Sequence, residues 1–449
     1  VLYSKRIPVL PDNVLPFKTP EIAKLRWNSD TELAKLLIAK HTTSGIPPLG
    51  YGGRLYRYSL SRGIWEIINS QTLRQLAYKF DGYTYHTPSG NRRIKMDDKR
   101  VKSVVSAVLD LTASTAFSSP RAGSAFKDGF VRAGPSGVTL EPHKFTNYAT
   151  HCYPWNWDST ANAPRFDRFC HEVWQDDPDR DDKKIFLLQF MAACLFGMAP
   201  DFAKAIVLKG RGSNGKSVVV DLFSELFPSE VRESVPPQQL KNPTSRKRLI
   251  GVLYNGVDEM PAAKLLNSEE TKKIITGGLT SAKILYRDEM SFRPKAGHLF
   301  CANKLPPVAD TTKGFWRRFE ILGFNRQFNN GNSTRRDLLM KELRAELPGI
   351  LRQVLDAGCK LLLDNQYTIP QSSHDLRALW QASSDPIGAF INECIIEDGK
   401  TWTTVTLLHS TFCTWAKERE FGTCSSKAFG AYLSEQGYTI PSRKKRRIS

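Results

Sequence analysis

The stretch Lys209-Gly210-Arg211-Gly212-Ser213-Asn214-Gly215-Lys216-Ser217 constrains this chain more tightly than any other. It fits the phosphate-binding pattern Gly-x4-Gly-Lys-Ser/Thr, and its flanks supply the context that the pattern needs. Ala205-Ile206-Val207-Leu208 before it is a short apolar run suited to a buried parallel strand. After it, Val218 to Phe227 places apolar residues three and four apart until Pro228 stops the helix. In such a strand–loop–helix unit, glycines let backbone N–H groups approach phosphate oxygens, and the helix N-terminus adds the positive end of its dipole. Gly210, Gly212, Ser213, Asn214 and Gly215 would form the cradle. Lys216 would reach the β- and γ-phosphates, and the Ser217 hydroxyl would ligate Mg2+. The stretch predicts a nucleoside-triphosphate site on an α/β core.

Charge says what such a site could serve. Lys and Arg outnumber Asp and Glu by 64 to 45, a net charge of +19. For a chain that also binds nucleotide, that excess favours a nucleic-acid partner. No run of about 18 apolar residues occurs, so no membrane partner is expected. Eight cysteines are scattered without a Cys-x-x-Cys pair, which argues against a disulfide framework and for a reducing, cytoplasmic compartment. His151-Cys152 and Cys170-His171 repeat a residue pair, too little to predict a zinc site. The 449 residues allow about three domains. The start on Val1, without Met, leads us to expect further protein upstream.

Residues 1–120 read as a small α+β module. Prolines at 8, 11, 16 and 20 predict extended chain, and Ser29-Asp30-Thr31-Glu32 is a capping box that opens a helix. Leu55–Leu60 and Ile64–Ile68 flank a turn and predict a hairpin, followed by helices over 71–80 and 100–112. Tyr56, Tyr58, Trp65, Tyr78 and Phe80 suit a core better than base stacking. A Ser/Ala/Gly-rich loop at 113–124 marks a boundary to a second region, 121–200. There Phe126–Val131 and Thr139–His143 predict a hairpin, and helices follow near 164–174 and 181–196.

A nucleotide hydrolase also needs an acid near the metal and a group to orient the attacking water. Leu249–Val257 reads as an apolar strand ending in Asp258-Glu259. Asp258 would hold Mg2+ through water, and Glu259 would activate the nucleophile. His298–Asn303 is a second apolar strand whose terminal Asn303 can hydrogen-bond the water or the γ-phosphate. Arg317-Arg318 precedes the apolar run Ile321–Phe324. In a ring ATPase one of these two arginines would reach a neighbouring subunit's γ-phosphate, a contact worth about 10³–10⁵ in rate.

The order of the loop at 210–217, Asp258-Glu259, Asn303 and Arg317-Arg318 resembles that of superfamily 3 helicases, more narrowly the primase-helicases of satellite phages, plasmids and poxviruses. Ile274-Ile275-Thr276-Gly277-Gly278, Phe292-Arg293-Pro294 and Asn303-Lys304-Leu305-Pro306 continue the resemblance, which covers about residues 125–330 well. It implies an AAA+-type P-loop ATPase core at 201–365, forming a ring, usually a hexamer, with ATP between subunits and single-stranded DNA through the centre. It also implies a strand-contacting hairpin between Glu259 and Asn303, where Lys283 and Arg287 are the candidates for nucleic-acid contact. A primase, upstream or separate, and a bacterial or virus-infected host cell go with that family.

After a helix through Leu363, Asp364 to Ser373 reads as a linker to a region at 374–449. Helices at 386–396, 404–418 and 426–436 and a strand starting at Gly437 predict a winged-helix-like DNA-binding fold. Arg443 to Arg447 could touch phosphates or form a solvated tail. The expectation is an ATP-dependent replicative DNA helicase acting on single-stranded and forked DNA. An ATP-switched origin-binding initiator and an RNA-remodelling ATPase remain the alternatives.

Overall fold

A computed structural model describes residues 28–118, 121–260, 269–283, 289–306, 308, 312–328, 333–396, 403–419 and 421–438. The expected extended start, the tip of the 280–292 hairpin, the strand after Gly437 and the basic end lie outside these, wholly or nearly so.

The Ser29 hydroxyl accepts the Glu32 N–H at 3.2 Å and starts α1 (Asp30–His41). Strands β1 (Leu49–Tyr51), β2 (Arg54–Ser59) and β3 (Ile64–Ile68) form an antiparallel meander. They are followed by α2 (Ser70–Tyr78), the hairpin β4 (Thr84–Thr87) and β5 (Gly90–Arg93), and α3 (Asp98–Leu111). Alternation along β2 decides which face each residue serves. Leu55 packs with α1 and α3, while Tyr56 and Tyr58 join Trp65, Phe117 and Phe145 in a second cluster. These aromatics are core, as their pattern predicts; Tyr78 is 40 % exposed.

The second region opens with three strands where the sequence suggests two: β6 (Gly123–Phe126), β7 (Gly129–Gly134) and β8 (Gly137–Glu141). Lys127-Asp128 is itself a turn, so Phe126–Val131 is not a single strand. Then come α4 (Pro164–Val173) and α5 (Arg180–Leu195). From Phe186 to its end α5 is buried throughout, and so is Lys183, whose ammonium meets Asp177 at 2.7 Å and Asp179 at 3.5 Å.

The third region carries β9 (Ala205–Lys209), α6 (Lys216–Leu226), β10 (Arg232–Glu233), α7 (Pro243–Arg246) and β11 (Tyr254–Val257). It continues with α8 (Glu269–Ile275), β12 (Thr280–Ala282), β13 (Met290–Phe292), β14 (Gly297–Ala302), α9 (Lys313–Trp316) and β15 (Phe319–Gly323). Five of these strands make one parallel sheet in the order β10-β11-β14-β9-β15. The strand expected from Leu249 begins only at Tyr254, because Lys247–Leu249 is a 3-10 turn and Gly251 takes φ +74°. One hydrophobic core runs from β7 through α4 and α5 into β9, α6 and β14, so the expected boundary at 200/201 lies within continuous packing.

Helices α10 (Ser333–Ala345) and α11 (Leu347–Asp364) complete that core, and α12 (Gln371–Ser384) follows. The segment expected to be a linker is pinned down. Tyr367 is buried, the Thr368 N–H donates to Gln189 Oε1 at 2.7 Å, and the Ser373 hydroxyl donates to buried Glu320 on β15 at 3.1 Å. Trp380 on α12 is buried against Phe315 and Phe319. Helix α12, which spans the expected start of the last region at 374, therefore packs against β15. Helices α13 (Pro386–Cys394), α14 (Val405–Glu418) and α15 (Ser426–Glu435) then pack around Phe390, Phe412 and Phe429. Among the described residues, no helix is long and apolar enough to cross a membrane.

Candidate nucleotide site

In a parallel α/β sheet, ligands gather at the carboxyl ends of the strands. Three neighbouring strands bring the sequence-predicted groups to that one edge. The phosphate-loop stretch leaves β9, Asp258-Glu259 leaves β11, and Asn303 leaves β14. Lys216 opens α6 and is nearly buried, 6 % exposed. Its ammonium donates to Gly210 O at 2.6 Å, Asn214 Oδ1 at 3.0 Å, and Arg211 O and Asn303 Oδ1 at 3.3 Å. Burial lowers the Lys216 pKa, opposed by the nearby Asp258 carboxylate. Asp258 and Glu259 are both exposed, and Ser217 is half-buried beside Lys216.

The loop's shape follows from its small residues. Gly215 has φ +91° and Ser213 φ +59°. A Cβ at Gly210 would lie 2.1 Å from Asn214 Nδ2 and 2.4 Å from Phe324 O, so only glycine fits. Asn214, which is 2 % exposed, ties the loop to the chain leaving β15 by donating to Phe324 O at 3.0 Å. The Phe328 N–H adds a bond to Ser213 O at 2.9 Å. Gly212 has open space around it.

The arginine pair is elsewhere. Register places Phe319 beside Ala205 and Gly323 beside Lys209, so Arg317 and Arg318 sit at the opposite edge of the sheet. The strand between makes that about 13 Å at 3.3 Å per residue. Arg317 is exposed, and an Arg318 guanidinium N–H donates to Gly314 O. Neither joins the site of its own chain. Lys283 is exposed at the base of the β12–β13 hairpin, where its N–H donates to Pro243 O at 3.1 Å. Arg287 lies outside the described residues.

Two buried polar residues escape sequence reasoning. Asn255, which in the sequence only interrupts an apolar run, clamps the sheet. Its Oδ1 accepts from Val235 N at 2.7 Å, and its Nδ2 donates to Val235 O at 3.0 Å and faces His298 Nδ1 at 3.0 Å. Arg246 holds the hairpin by donating to Ser281 O at 2.6 Å and to Leu240 O at 3.2 Å, with Glu270 at 3.7 Å. A single polar residue among apolar ones and a basic one in a Pro/Thr/Ser segment give no local signal of such roles.

A family described only as one of unknown function, DUF5906, matches residues 208–318, less than half of the chain but inclusive of the loop, Asp258-Glu259, Asn303 and Arg317-Arg318. A protein of Acanthamoeba polyphaga mimivirus, named "Putative helicase L207/L206", is 28 % identical over 159 residues. That match takes in 34 % of this chain and 16 % of the viral protein, so the chain corresponds to a minor part of that relative. Among solved structures, one apo form of the NrS-1 C-terminal region shares 12 % identity at a TM-score of 0.42, covering 92 % of this chain and 98 % of that one. A second apo form shares 10 % identity at a TM-score of 0.40, covering 83 % and 84 %.

Proposed function

We propose that this chain is an ATP-dependent DNA helicase of superfamily 3 with an AAA+-type core, working as a ring, a hexamer in the usual case, on single-stranded and forked DNA. The observation that carries this reading is the meeting of Lys216 with Asn303 at one sheet edge that also bears Asp258 and Glu259. Similarity to a viral protein named as a helicase supports it. The donor set suits Mg·ATP: a hydroxyl and a carboxylate, Ser217 and Asp258, are hard oxygen ligands of the kind Mg2+ takes. The open space around Gly212 leaves room for phosphate oxygens to approach the loop. Bound Mg·ATP supplies the phosphoanhydride bond whose cleavage drives movement. Lys216 holds the phosphates, Glu259 takes the proton of the attacking water, and Asn303 orients that water.

Because Arg317 and Arg318 stand at the far edge, they serve a neighbouring subunit's site, one of the two as the finger. Lys283 and Arg287 contact the strand, and the C-terminal helices form a winged-helix-like DNA-binding unit. A primase acts upstream or as a separate partner, in the cytoplasm of a bacterium or virus-infected cell. The test is strand displacement: the protein with ATP should separate a forked DNA duplex and do so less well on RNA. A duplex that stays paired while ATP is consumed contradicts the motor and favours the initiator switch.

A further inference from the structure

A cavity of about 60 Å³ lies at the edge of the sheet opposite the phosphate loop. Val231, Leu253 and Lys295 line it, and each comes within two residues of the start of β10, β11 or β14. Its other walls come from Tyr51 and Tyr56 of the N-terminal module and from the strap Asn147–His151. All three regions before α10 therefore meet around one space.

The polar groups facing that space lack matches. Asn147 is 2 % exposed, yet neither Oδ1 nor Nδ2 has a partner. His151 is buried with Nε2 at 3.0 Å from Ser124 Oγ and Nδ1 unpartnered. Burial holds the imidazole neutral, its pKa lowered to about 4. In the tautomer in which Nε2 accepts from the Ser124 hydroxyl, Nδ1 carries the hydrogen and is a donor. The Lys295 ammonium has the Tyr51 ring at 5.8 Å and, among the described residues, no carboxylate at ion-pair distance. Burial draws its pKa down to about 8, with the charge of Asp201 opposing. Buried polar atoms are ordinarily satisfied, so Asn147 and His151 Nδ1 ask for an occupant, with the half-buried Lys295 ammonium beside them.

We infer that this cavity binds a phosphate-class oxyanion, which fastens the N-terminal module to the nucleotide core. Asn147 Nδ2, His151 Nδ1–H and the Lys295 ammonium supply three kinds of donor around it, and exposed Arg121 adds a cation at the lining. A hydrogen phosphate brings what a sulfate lacks, a hydroxyl to donate to Asn147 Oδ1. That hydroxyl also eases the proximity of the Glu230 carboxylate on the exposed rim. The volume is several times what one water needs but too small for a nucleoside. The phosphate is therefore either free or the end of a strand whose sugar and base stay outside.

The test uses the full chain carrying Lys216→Ala, which weakens phosphate binding at the loop, and the cavity substitutions separate the two sites. Equilibrium dialysis with radiolabelled inorganic phosphate at constant ionic strength should show saturable binding of about one ion per chain, tighter than sulfate. Lys295→Met should abolish that binding, and Asn147→Leu should weaken it by about tenfold or more. Circular dichroism identifies any variant that fails to fold, and Asn147→Ala then replaces it. Competition by an oligonucleotide with a 5′-phosphate, but not by the same strand without one, assigns the site to strand ends; no competition by either assigns it to the free ion. Absence of saturable phosphate binding, or equal binding after both substitutions in folded protein, overturns the inference.

Discussion

Lys216 satisfies its ammonium with four oxygens of the protein, two of them from the side chains of Asn214 and Asn303. The same lysine is thus held in the position from which it would meet phosphate. A second buried residue gives a pH dependence. An imidazole in the unfolded chain takes a proton near pH 6.5, whereas His298, buried on β14, resists until about pH 4. Between these values the unfolded chain holds more protons, so stability is fully kept above 6.5 and declines as pH falls toward 4. The full loss is on the order of 3 kcal/mol for this one group. Urea unfolding at about pH 7.5 and about pH 4.5 measures it, and His298→Asn should flatten the slope by its share. His41 and His151, also lowered to about 4 by burial, add slope of the same sign. The candidate groups at the nucleotide site were legible because each follows an apolar run that makes a strand. The clamp Asn255 was not, since only the fold brings Val235 and His298 to it.

Helix α12 shows what composition conceals at the scale of elements. Asp364–Ser373 is short and polar, which reads as a linker, yet Thr368 is tied to Gln189 and Ser373 to Glu320. Glu320 is fully buried and answered by Lys204 Nζ at 2.6 Å and by Arg377 of α12. Trp380 adds an indole N–H donated to Pro306 O at 2.7 Å. Trp380→Ala should destabilise the folded chain by about 3–5 kcal/mol, the usual cost of emptying a core tryptophan site. Chemical denaturation followed by circular dichroism measures that cost, and a change below about 1 kcal/mol would mean that α12 does not dock as described. Helices themselves were readable from apolar spacing, with ends close to those observed for α2, α3, α4, α5, α11, α14 and α15. Which helices share a core was not, because long-range packing leaves no periodicity.

For the whole molecule, the separation of Arg317-Arg318 from the loop has a direct consequence. If each site is completed by an arginine from a neighbour, mixing Arg317→Ala/Arg318→Ala subunits into wild-type protein should depress ATP hydrolysis more steeply than the mutant fraction. Loss in simple proportion would contradict a shared site, and mass measurement with ATP and single-stranded DNA reports whether rings assemble. The proposed role of the loop at 210–217, powering a nucleic-acid motor, is tested by steady-state ATP hydrolysis with and without single-stranded DNA. Hydrolysis by the wild-type chain should rise with DNA and be abolished in a folded Lys216→Ala variant. Near-normal turnover by that variant would contradict it.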